Sequence, residues 1–422
     1  MDVQSILISI INIWQVGGMK RGYRSARQAA AELGISLPTL YAYVSRGLIR
    51  SEGERSSRAR LYRAEDIAAL KARKQRRDPG KVAEAALHFG LPVLDSAISL
   101  IAGGRLYYRG RDVAALAATA TIEEIAALLW TGDLAATLPA AGVELPPGSW
   151  HRLTTIVAPL APMDRFQAVL PFAAAHDAGA YDLRPAAVQR TGIRILRLLA
   201  ALAAGRPPSI DPVTRTLQQG WSPRVAQARA LLETALVLCA DHELNPSTFT
   251  ARCVASARST PYAVVAGGLA TLQGALHGGT CERIEALFEE AATPARAAAV
   301  VGARLRRGEI LPGFGHPLYV TAGGDPRAAI LLDRLRAARP ASRGTLLARA
   351  LVDGVRALVD VQPTIDFAVV ALRRALELPA GSAVAIIAIG RSTGWIAHAI
   401  EQYEDERLIR PRARYVGVMP LS

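Results

Sequence analysis

The 422-residue sequence contains only three cysteines, and only 5% of its residues are aromatic. The cysteines, Cys239, Cys253 and Cys281, form no CxxC pair and no even-numbered framework. This pattern argues against a disulfide scaffold and favours a reducing, cytoplasmic setting. No grouping of His, Cys and Asp has metal-ligand spacing, so we expect no metal site.

A membrane-spanning run is also missing. The first fifteen residues, MDVQSILISIINIWQ, are apolar, but they begin with an acid and are too short to span a bilayer. Because Met19 precedes a basic stretch, we interpret residues 1–19 as a disordered extension or as a start site placed too early. The run Ala383–Ile389 ends near Arg391 and predicts a buried helix. We therefore expect no membrane partner.

Helix-forming residues are abundant: hydrophobic residues make up 51% of the chain, largely Ala, Leu and Val. Thr121 and Glu124 form a predicted capping box, Ser222-Pro223 is predicted to open a helix, and Thr293-Pro294 to open another that ends by Gly308. The stretch 103–117, GGRLYYRGRDVAALA, predicts a short pair of strands followed by a helix. With no sustained alternation elsewhere, the body is predicted to be all-α.

Basic residues are concentrated near the N-terminus. The formal net charge is +14, and residues 20–81 hold 16 Lys and Arg against six acidic residues. Ser25 is predicted to cap a helix that stops at Gly34, and ISLPTLYAYVSRG (35–47) predicts a second helix. A basic stretch (48–63) and AEDIAALKARK (64–74) then predict a wing and a third helix. This is the spacing of a helix-turn-helix, and a local positive excess points to a polyanionic partner.

The same stretch resembles the DNA-binding domain of MerR-type regulators over roughly residues 22–75. The resemblance implies contacts from the second helix in a major groove and from the wing to phosphates. The implied DNA-binding residues are Thr39, Tyr41, Tyr43, Arg46, Arg58, Arg60 and Arg63. The alternative is a solvated basic face used for packing or solubility. A charged hinge at 73–81, RKQRRDPGK, separates this predicted domain (20–78) from the body (79–422).

Candidate chemistry lies in the last third of the chain. Its segments are GALHGG (274–279), LPGFGHPLY (311–319), GGDPRA (323–328), PTIDF (363–367), AIGR (388–391) and IRPR (409–412). Two histidines, two aspartates and four arginines stand inside these segments, most of which are bent by glycine or proline. GFG alone is not a dinucleotide-binding pattern, because it has neither the third glycine nor a preceding strand.

Such residues suit carbon–carbon bond formation from a thioester methyl group. A carboxylate is too weak a base to remove that proton unaided, so a donor must stabilise the enol. A second donor must polarise the accepting ketone, and a dianionic acceptor requires guanidinium groups, which bind carboxylates in a bidentate manner. One Asp, two or three His and three Arg form the required set.

The motifs, together with DHELNPSTFTARCVAS (241–256) and residues 106–134, resemble the citrate synthase family in order and separation over roughly residues 95–418. The resemblance implies an all-helical homodimer with a large and a small domain, the small domain at about 279–380. It implies condensation of acetyl-CoA with oxaloacetate without a cofactor. 2-Methylcitrate synthase activity with propionyl-CoA is an alternative hypothesis, because the shape of a pocket discriminates only weakly against one extra methylene group.

The resemblance also implies a role for each residue. Asp366 would abstract the methyl proton, His277 would donate to the thioester oxygen, and His316 would polarise the ketone. The oxaloacetate-binding residues would be His242, Asn245, Arg327, Arg391 and Arg410, with Arg410 reaching across a dimer interface. The loop residues Leu311, Pro312, Gly313, Phe314 and Gly315 would meet coenzyme A through their backbone.

The sequence departs from the family near the coenzyme. Pro317 and Val320 occupy places where bacterial members usually carry basic residues, and Arg304, Arg306 and Arg307 upstream are possible substitutes. Asp366 could alternatively cap its helix, and His398 is interpreted as a packing residue. The N-terminal domain leaves a third hypothesis open. The protein would then be a DNA-binding regulator whose body senses a keto-acid or acyl-CoA without turning it over.

Overall fold

The computed structural model describes residues 23–33, 35–45, 48–53, 60–67, 70, 94–319, 323–413 and 415–419. The chain divides into two compact units, residues 1–95 and 96–422. The predicted hinge at 73–81 lies outside the described residues, so its position stays a prediction.

Among its described residues, the N-terminal unit contains two short helices, further helical residues at 64–67 and 70 where a third helix was predicted, and an antiparallel three-stranded sheet. Its elements are β1 (Tyr23–Ser25), α1 (Ala26–Leu33), α2 (Leu37–Ser45), β2 (Ser51–Gly53) and β3 (Arg60–Arg63), with strand order β1-β3-β2. Ser25 caps α1 as expected: its Oγ accepts from Gln28 N (3.3 Å), and its own N donates to Gln28 Oε1 (3.0 Å). Leu40 and Tyr62 belong to the small core of this unit.

The C-terminal unit begins with a second antiparallel sheet, made of β4 (Ser99–Ala102), β5 (Arg105–Tyr108) and β6 (Arg111–Asp112). The pair of strands expected within 103–117 is confirmed as β5 and β6, and the helix expected after them begins at Val113; the preceding strand β4 was not expected. Gly103 and Gly104 take positive φ in the turn between β4 and β5, so they join the strands instead of extending one. Tyr108 in β5 is fully buried.

The rest of this unit is helical. Its helices are α3 (Val113–Thr119), α4 (Ile122–Thr131), α5 (Ser149–Val157), α6 (Pro162–Ala175), α7 (Pro185–Ala204), α8 (Val213–Trp221), α9 (Ala228–Cys239), α10 (Pro246–Ser256), α11 (Pro261–Leu272), α12 (Thr280–Ala291), α13 (Pro294–Arg306), α14 (Pro326–Ala338), α15 (Arg343–Val359), α16 (Ile365–Ala375) and α17 (Ser382–Asp405), with a 3-10 turn at Ala178–Tyr181. The capping box of Thr121 and Glu124 is present. The helix expected from Ser222 begins instead at Ala228.

The long helix α17 runs through the core, and its apolar run is buried as expected. Among the described residues it is the one helix long and apolar enough to cross a bilayer, but 94% of its apolar window is buried inside the protein. It packs against α9, α10, α11 and α7. These contacts make α17 the central support for the segments that carry the candidate site.

Candidate active site

His242, His316 and Tyr319 form a compact aromatic cluster. The rings of His242 and His316 meet edge to face with centroids 5.3 Å apart, and His242 Nε2 lies 3.0 Å from Tyr319 Oη. Leu318 N donates to His316 Nδ1 (3.2 Å). Because a backbone N–H can only donate, Nδ1 is unprotonated, and a neutral His316 carries its proton on Nε2. His316 is therefore a hydrogen-bond donor from Nε2.

Burial and positive charge keep both histidines neutral. Burial, together with the Arg327 charge, lowers the pKa of His316 to about 4. Burial and the charges of Arg327 and Arg391 hold the pKa of His242 well below its usual value. Burial raises the pKa of Tyr319 to about 12. At neutral pH the cluster therefore offers uncharged donors inside a positive surrounding.

Arg327 supplies part of that charge and is fixed by Asp325. Its Nε and Nη2 donate to the two oxygens of Asp325 at 2.9 and 2.8 Å, and both side chains are almost fully buried. The Arg327 guanidinium carbon lies 5.6 Å from the centre of the Tyr319 ring. Asp325 Oδ2 also accepts from Ile365 N (3.0 Å). The carboxylate thus ties Arg327 to the first turn of α16.

Asp366 stands in that first turn. Thr364 occupies the N-cap position of α16, so Asp366 is not the N-cap residue that the capping alternative requires. Burial and the nearby Asp325 raise the pKa of Asp366, although the charges of Arg327 and Arg391 oppose them. A raised pKa makes a carboxylate a stronger base than an exposed one.

His277 lies in the turn between α11 and α12, with Nε2 3.0 Å from Ser247 Oγ. Ser247 Oγ is also 2.7 Å from Asn245 Oδ1, which caps α10 by accepting from the N of Ser247 and Thr248. Because an amide oxygen can only accept, the Ser247 hydroxyl donates to Asn245 Oδ1, and His277 Nε2 donates to Ser247 Oγ. Burial and the charge of Arg391 lower the pKa of His277 to about 4. Arg391 itself is buried, and its Nε donates to Cys239 O (3.0 Å).

The glycine-rich loop Leu311–Gly315 runs beside the entry to α16. Thr364 N donates to Gly313 O (2.8 Å), Gly315 N donates to Gln362 O (2.9 Å), and the Phe314 ring lies 4.8 Å from that of Phe367. Gly313 has φ +83°, and a Cβ there would lie 2.9 Å from Ile284 and 3.0 Å from Phe367. Only glycine suits this position. The loop and the segment before Asp366 therefore form one structure.

Two groups of predicted residues lie apart from this cluster. Arg410 is exposed in the extended segment after α17 and makes no hydrogen bond or ion pair with the described residues. Arg304 and Arg307, considered as substitutes near the coenzyme, pair with Glu290 and Glu309. Val320 lies outside the described residues.

The predicted DNA-binding residues divide differently. Tyr41 is 52% exposed and Arg60 is exposed, whereas Tyr43 packs against the small core. Arg63 pairs with Glu52 at 3.0 Å, and Thr39 Oγ1 lies 2.8 Å from Ser36 Oγ at the start of α2. Arg46 and Arg58 lie outside the described residues. DNA binding stays a prediction.

Sequence reasoning missed several members of the site. Tyr319 and Asp325 stood inside quoted motifs, and the closeness of Asp325 to Arg327 was the available signal for their pairing. Ser247 gave no separate signal, because its partner His277 is thirty residues away. His398, interpreted as packing, is buried with Nε2 3.4 Å from Asp241 Oδ2.

Comparisons with known proteins agree on one family. The family model "Citrate synthase, C-terminal domain" matches residues 87–412. A citrate synthase of Haloferax volcanii is 32% identical over 368 residues, covering 79% of this chain and 96% of that protein. A 2-methylcitrate synthase of Shewanella oneidensis is 32% identical over 364 residues, covering 76% and 91%.

Solved structures agree as well. The crystal structure of citrate synthase from Thermotoga maritima is 30% identical with a TM-score of 0.65, covering 79% of this chain and 96% of that one. A ternary complex of carboxymethyl coenzyme A and oxaloacetate with the Thermoplasma acidophilum enzyme is 26% identical with a TM-score of 0.65, covering 78% and 95%.

Proposed function

The chain belongs to the citrate synthase family of condensing enzymes, and on that premise we propose that it condenses acetyl-CoA with oxaloacetate to give citrate and free coenzyme A. The observation that carries the proposal is the cluster of neutral His242 and His316 beside Arg327, tied through Asp325 to the helix turn that holds Asp366. The Thermoplasma enzyme binds a coenzyme A analogue and oxaloacetate together, which supports the same substrate pair here.

In the proposed reaction, the Asp366 carboxylate removes a proton from the acetyl methyl group. We propose that on substrate binding the Ser247 hydroxyl turns from Asn245 Oδ1 to His277 Nε2. The proton of the neutral His277 ring then lies on Nδ1, from which it donates to the thioester oxygen and stabilises the enol. The enol carbon attacks the keto carbon of oxaloacetate, whose oxygen receives a hydrogen bond from His316 Nε2. Water then hydrolyses the citryl thioester and releases the thiol of coenzyme A.

Charge complementarity assigns the keto-acid to the same cluster. Oxaloacetate carries two carboxylates, and the guanidinium groups of Arg327 and Arg391 beside neutral imidazoles suit such a dianion, although Asp325 balances part of the charge of Arg327. Arg327 and Arg391 are buried and held by Asp325 and Cys239 O, so their geometry is set before the ligand arrives. Asn245 keeps its place by capping α10.

The acyl chain is the open part of the proposal. A 2-methylcitrate synthase and a citrate synthase are equally identical to this chain, at 32%. The test is thiol release from acetyl-CoA and propionyl-CoA, each with oxaloacetate. A higher kcat/KM for acetyl-CoA supports the proposal, and a higher value for propionyl-CoA reassigns the enzyme to 2-methylcitrate synthesis.

The N-terminal unit keeps a regulatory alternative testable. Exposed Tyr41 and Arg60 are the described residues that favour a DNA contact. If no acyl-CoA is turned over while the protein binds a specific operator in a salt-sensitive manner, the body acts as a sensor and the enzymatic proposal fails.

We also propose a homodimer in which Arg410 completes the partner's site. Support comes from exposed apolar side chains: Leu276 is 90% exposed, and Val416 and Val418 near the C-terminus are 83% and 89% exposed. Apolar surface of this kind marks protein interfaces. The nearby Arg410, exposed and without a partner among the described residues, suits a contact with a second chain.

Mixed dimers test that contact. Asp366→Asn and Arg410→Ala proteins are each inactive in the proposal, but a dimer with one subunit of each retains one intact site. Co-expressed in equal amounts, they recover about a quarter of wild-type activity if pairing is random. No recovery in isolated mixed dimers would contradict the shared site.

A further inference from the structure

His242 lies in a turn, Ala240–Glu243, that connects α9 to α10 and is fixed by groups from distant parts of the chain. Glu243 has φ +50°, an uncommon conformation for a residue with a side chain. A backbone held in such a region persists only when its surroundings determine it strongly.

The carboxylate of Asp241 links the turn to two elements. Asp241 is fully buried, and its Oδ2 accepts from Ser99 Oγ in β4 and lies 3.4 Å from His398 Nε2 in α17. Ser99 Oγ also accepts from Glu243 N (2.9 Å), on the far side of His242. One serine hydroxyl therefore bridges the residues directly before and after His242.

The backbone of the turn is held in the same way. Tyr108 Oη accepts from Asp241 N (3.1 Å), and Gly394 N in α17 donates to Ala240 O (3.0 Å). A Cβ at position 394 would lie 2.4 Å from both Ala240 O and Asp241 Oδ1. Glycine at this position lets α17 approach the turn closely enough to make the contact.

The pairing of Asp241 with His398 is not explained by a contribution to the free energy of unfolding alone. Burial opposes ionisation of Asp241, but the charge of His398 and its hydrogen bond outweigh burial and lower the pKa of Asp241. Asp241 Oδ1 and His398 Nδ1 have no hydrogen-bond partner among the described residues. An incompletely satisfied buried charge pair contributes little to stability compared with apolar packing. What the Asp241–His398 pair provides instead is a fixed position for His242, the residue next to Asp241.

We propose that Asp241, held by Ser99 and His398, is a positioning residue that fixes His242 for binding of the keto-acid. It holds the turn so that the His242 ring stays 3.0 Å from Tyr319 Oη and edge-on to His316. The sheet β4–β6 is then part of the active-site framework. The inference rests on the proposed function and assigns a selective effect to oxaloacetate, because Ser99 and His398 hold the turn directly. His277 reaches the turn only through Ser247 and Asn245, whose Nδ2 donates to His242 O (3.3 Å).

The experiment compares Ser99→Ala with Ser99→Thr in the full chain. Ser99→Ala removes the hydroxyl that bridges Asp241 and Glu243, and we expect the KM for oxaloacetate to rise about ten-fold. The KM for acetyl-CoA stays within about two-fold, because its half of the site is untouched. Ser99→Thr keeps the hydroxyl and restores the KM for oxaloacetate to near the wild-type value.

Tyr403→Phe is the matched control. It removes a hydrogen bond from the same long helix, from Tyr403 Oη to Ser259 O, without touching the turn. We expect a lower melting temperature with both KM values unchanged. His398→Asn is expected to act like Ser99→Ala, which ties the effect to the carboxylate and not to β4.

Two results are decisive in different ways. If wild type turns over and Ser99→Ala behaves like Tyr403→Phe, the positioning role is wrong while the proposed function stands. An equal rise in both KM values also overturns it. If the wild type has no activity with any acyl-CoA, the proposed function fails and the positioning role fails with it.

Discussion

The two halves of the proposed site are built by different means. The keto-acid half, His242, His316, Tyr319 and Arg327, consists of side chains whose positions are set by hydrogen bonds and by the Asp325 ion pair. The coenzyme half, the loop Leu311–Gly315, consists of backbone shaped by two glycines with positive φ. In the proposal, one half recognises the charge of the keto-acid and the other recognises the shape of the coenzyme.

This difference bears on the departures from the family at Pro317 and Val320, which were expected to affect coenzyme binding. In the proposal, the keto-acid half depends on guanidinium groups, so the loss of one of them weakens the binding of oxaloacetate. The coenzyme half depends on main-chain geometry, which tolerates Pro317 outside the loop. Substitutions in the two halves should therefore separate the two KM values.

The largest separation is expected from Arg327→Gln. Removing the guanidinium takes away a charge-assisted contact to a carboxylate, so the KM for oxaloacetate should rise about 10- to 100-fold. The KM for acetyl-CoA should change little. Because Asp325 is left buried without its partner, the double variant Asp325→Asn with Arg327→Gln serves as control: it should regain thermal stability but not oxaloacetate affinity. Equal rises in the KM values for oxaloacetate and acetyl-CoA would contradict the division of the site into two halves.

Gly313→Ala is the corresponding change in the coenzyme half. The added methyl group meets Ile284 and Phe367 in a left-handed conformation, so we expect a loss of about 1–3 kcal/mol in the free energy of unfolding. The KM for acetyl-CoA should rise several-fold while that for oxaloacetate stays nearly constant. Gly308→Ala is the control, since it has φ +70° but no atom within contact of a Cβ. A similar KM change in both variants would remove the loop's assigned role.

Tyr319→Phe gives a smaller effect within the keto-acid half. It removes one hydroxyl, 3.0 Å from His242 Nε2, and keeps the ring beside Arg327. A single neutral hydrogen bond corresponds to about a 2- to 10-fold rise in the KM for oxaloacetate. Steady-state kinetics check this, and a larger fall in kcat than rise in KM would instead indicate a role in the chemical step.

The smallest expected effect concerns pH and stability. His277 and His316 have folded-state pKa values of about 4, below the ordinary value of about 6.5. Between about pH 7 and about pH 4, the two histidines become protonated in the unfolded chain but stay neutral in the folded protein. The free energy of unfolding therefore decreases as the pH falls through this range. The melting temperature of His277→Gln should fall less steeply over this window than that of wild type. The exposed His151→Gln is the control, and identical slopes in His277→Gln and wild type would contradict the assigned shift.

Much of the fold followed from local signals. Pro294 and the Thr121–Glu124 box predicted helix starts that are present, because proline and capping side chains act within one turn. The helix start predicted at Ser222 was wrong: the chain turns between Ser222 and Gln227, and the helix begins only at Ala228. The strand β4 was not predicted, because a strand of four residues shows too little alternation of polar and apolar side chains.

The site divides in a similar way. Residues inside distinctive motifs, such as His316 and Asp366, could be selected from the sequence, and the structure groups most of them. Contacts between segments could not be predicted: Ser247 with His277, and Ser99 with Asp241, join residues 30 and 142 positions apart. Arg410 could be assigned only by resemblance, and a single chain leaves it outside the cluster.

The most direct measurement is oxaloacetate-dependent thiol release from acetyl-CoA by wild type and by Asp366→Asn. The account predicts turnover by wild type and a fall in kcat of about 10²- to 10⁴-fold in the variant, with the KM for oxaloacetate nearly unchanged, because the amide keeps the shape of the site but cannot take the methyl proton. A variant that retains the wild-type kcat would contradict the assignment of the base.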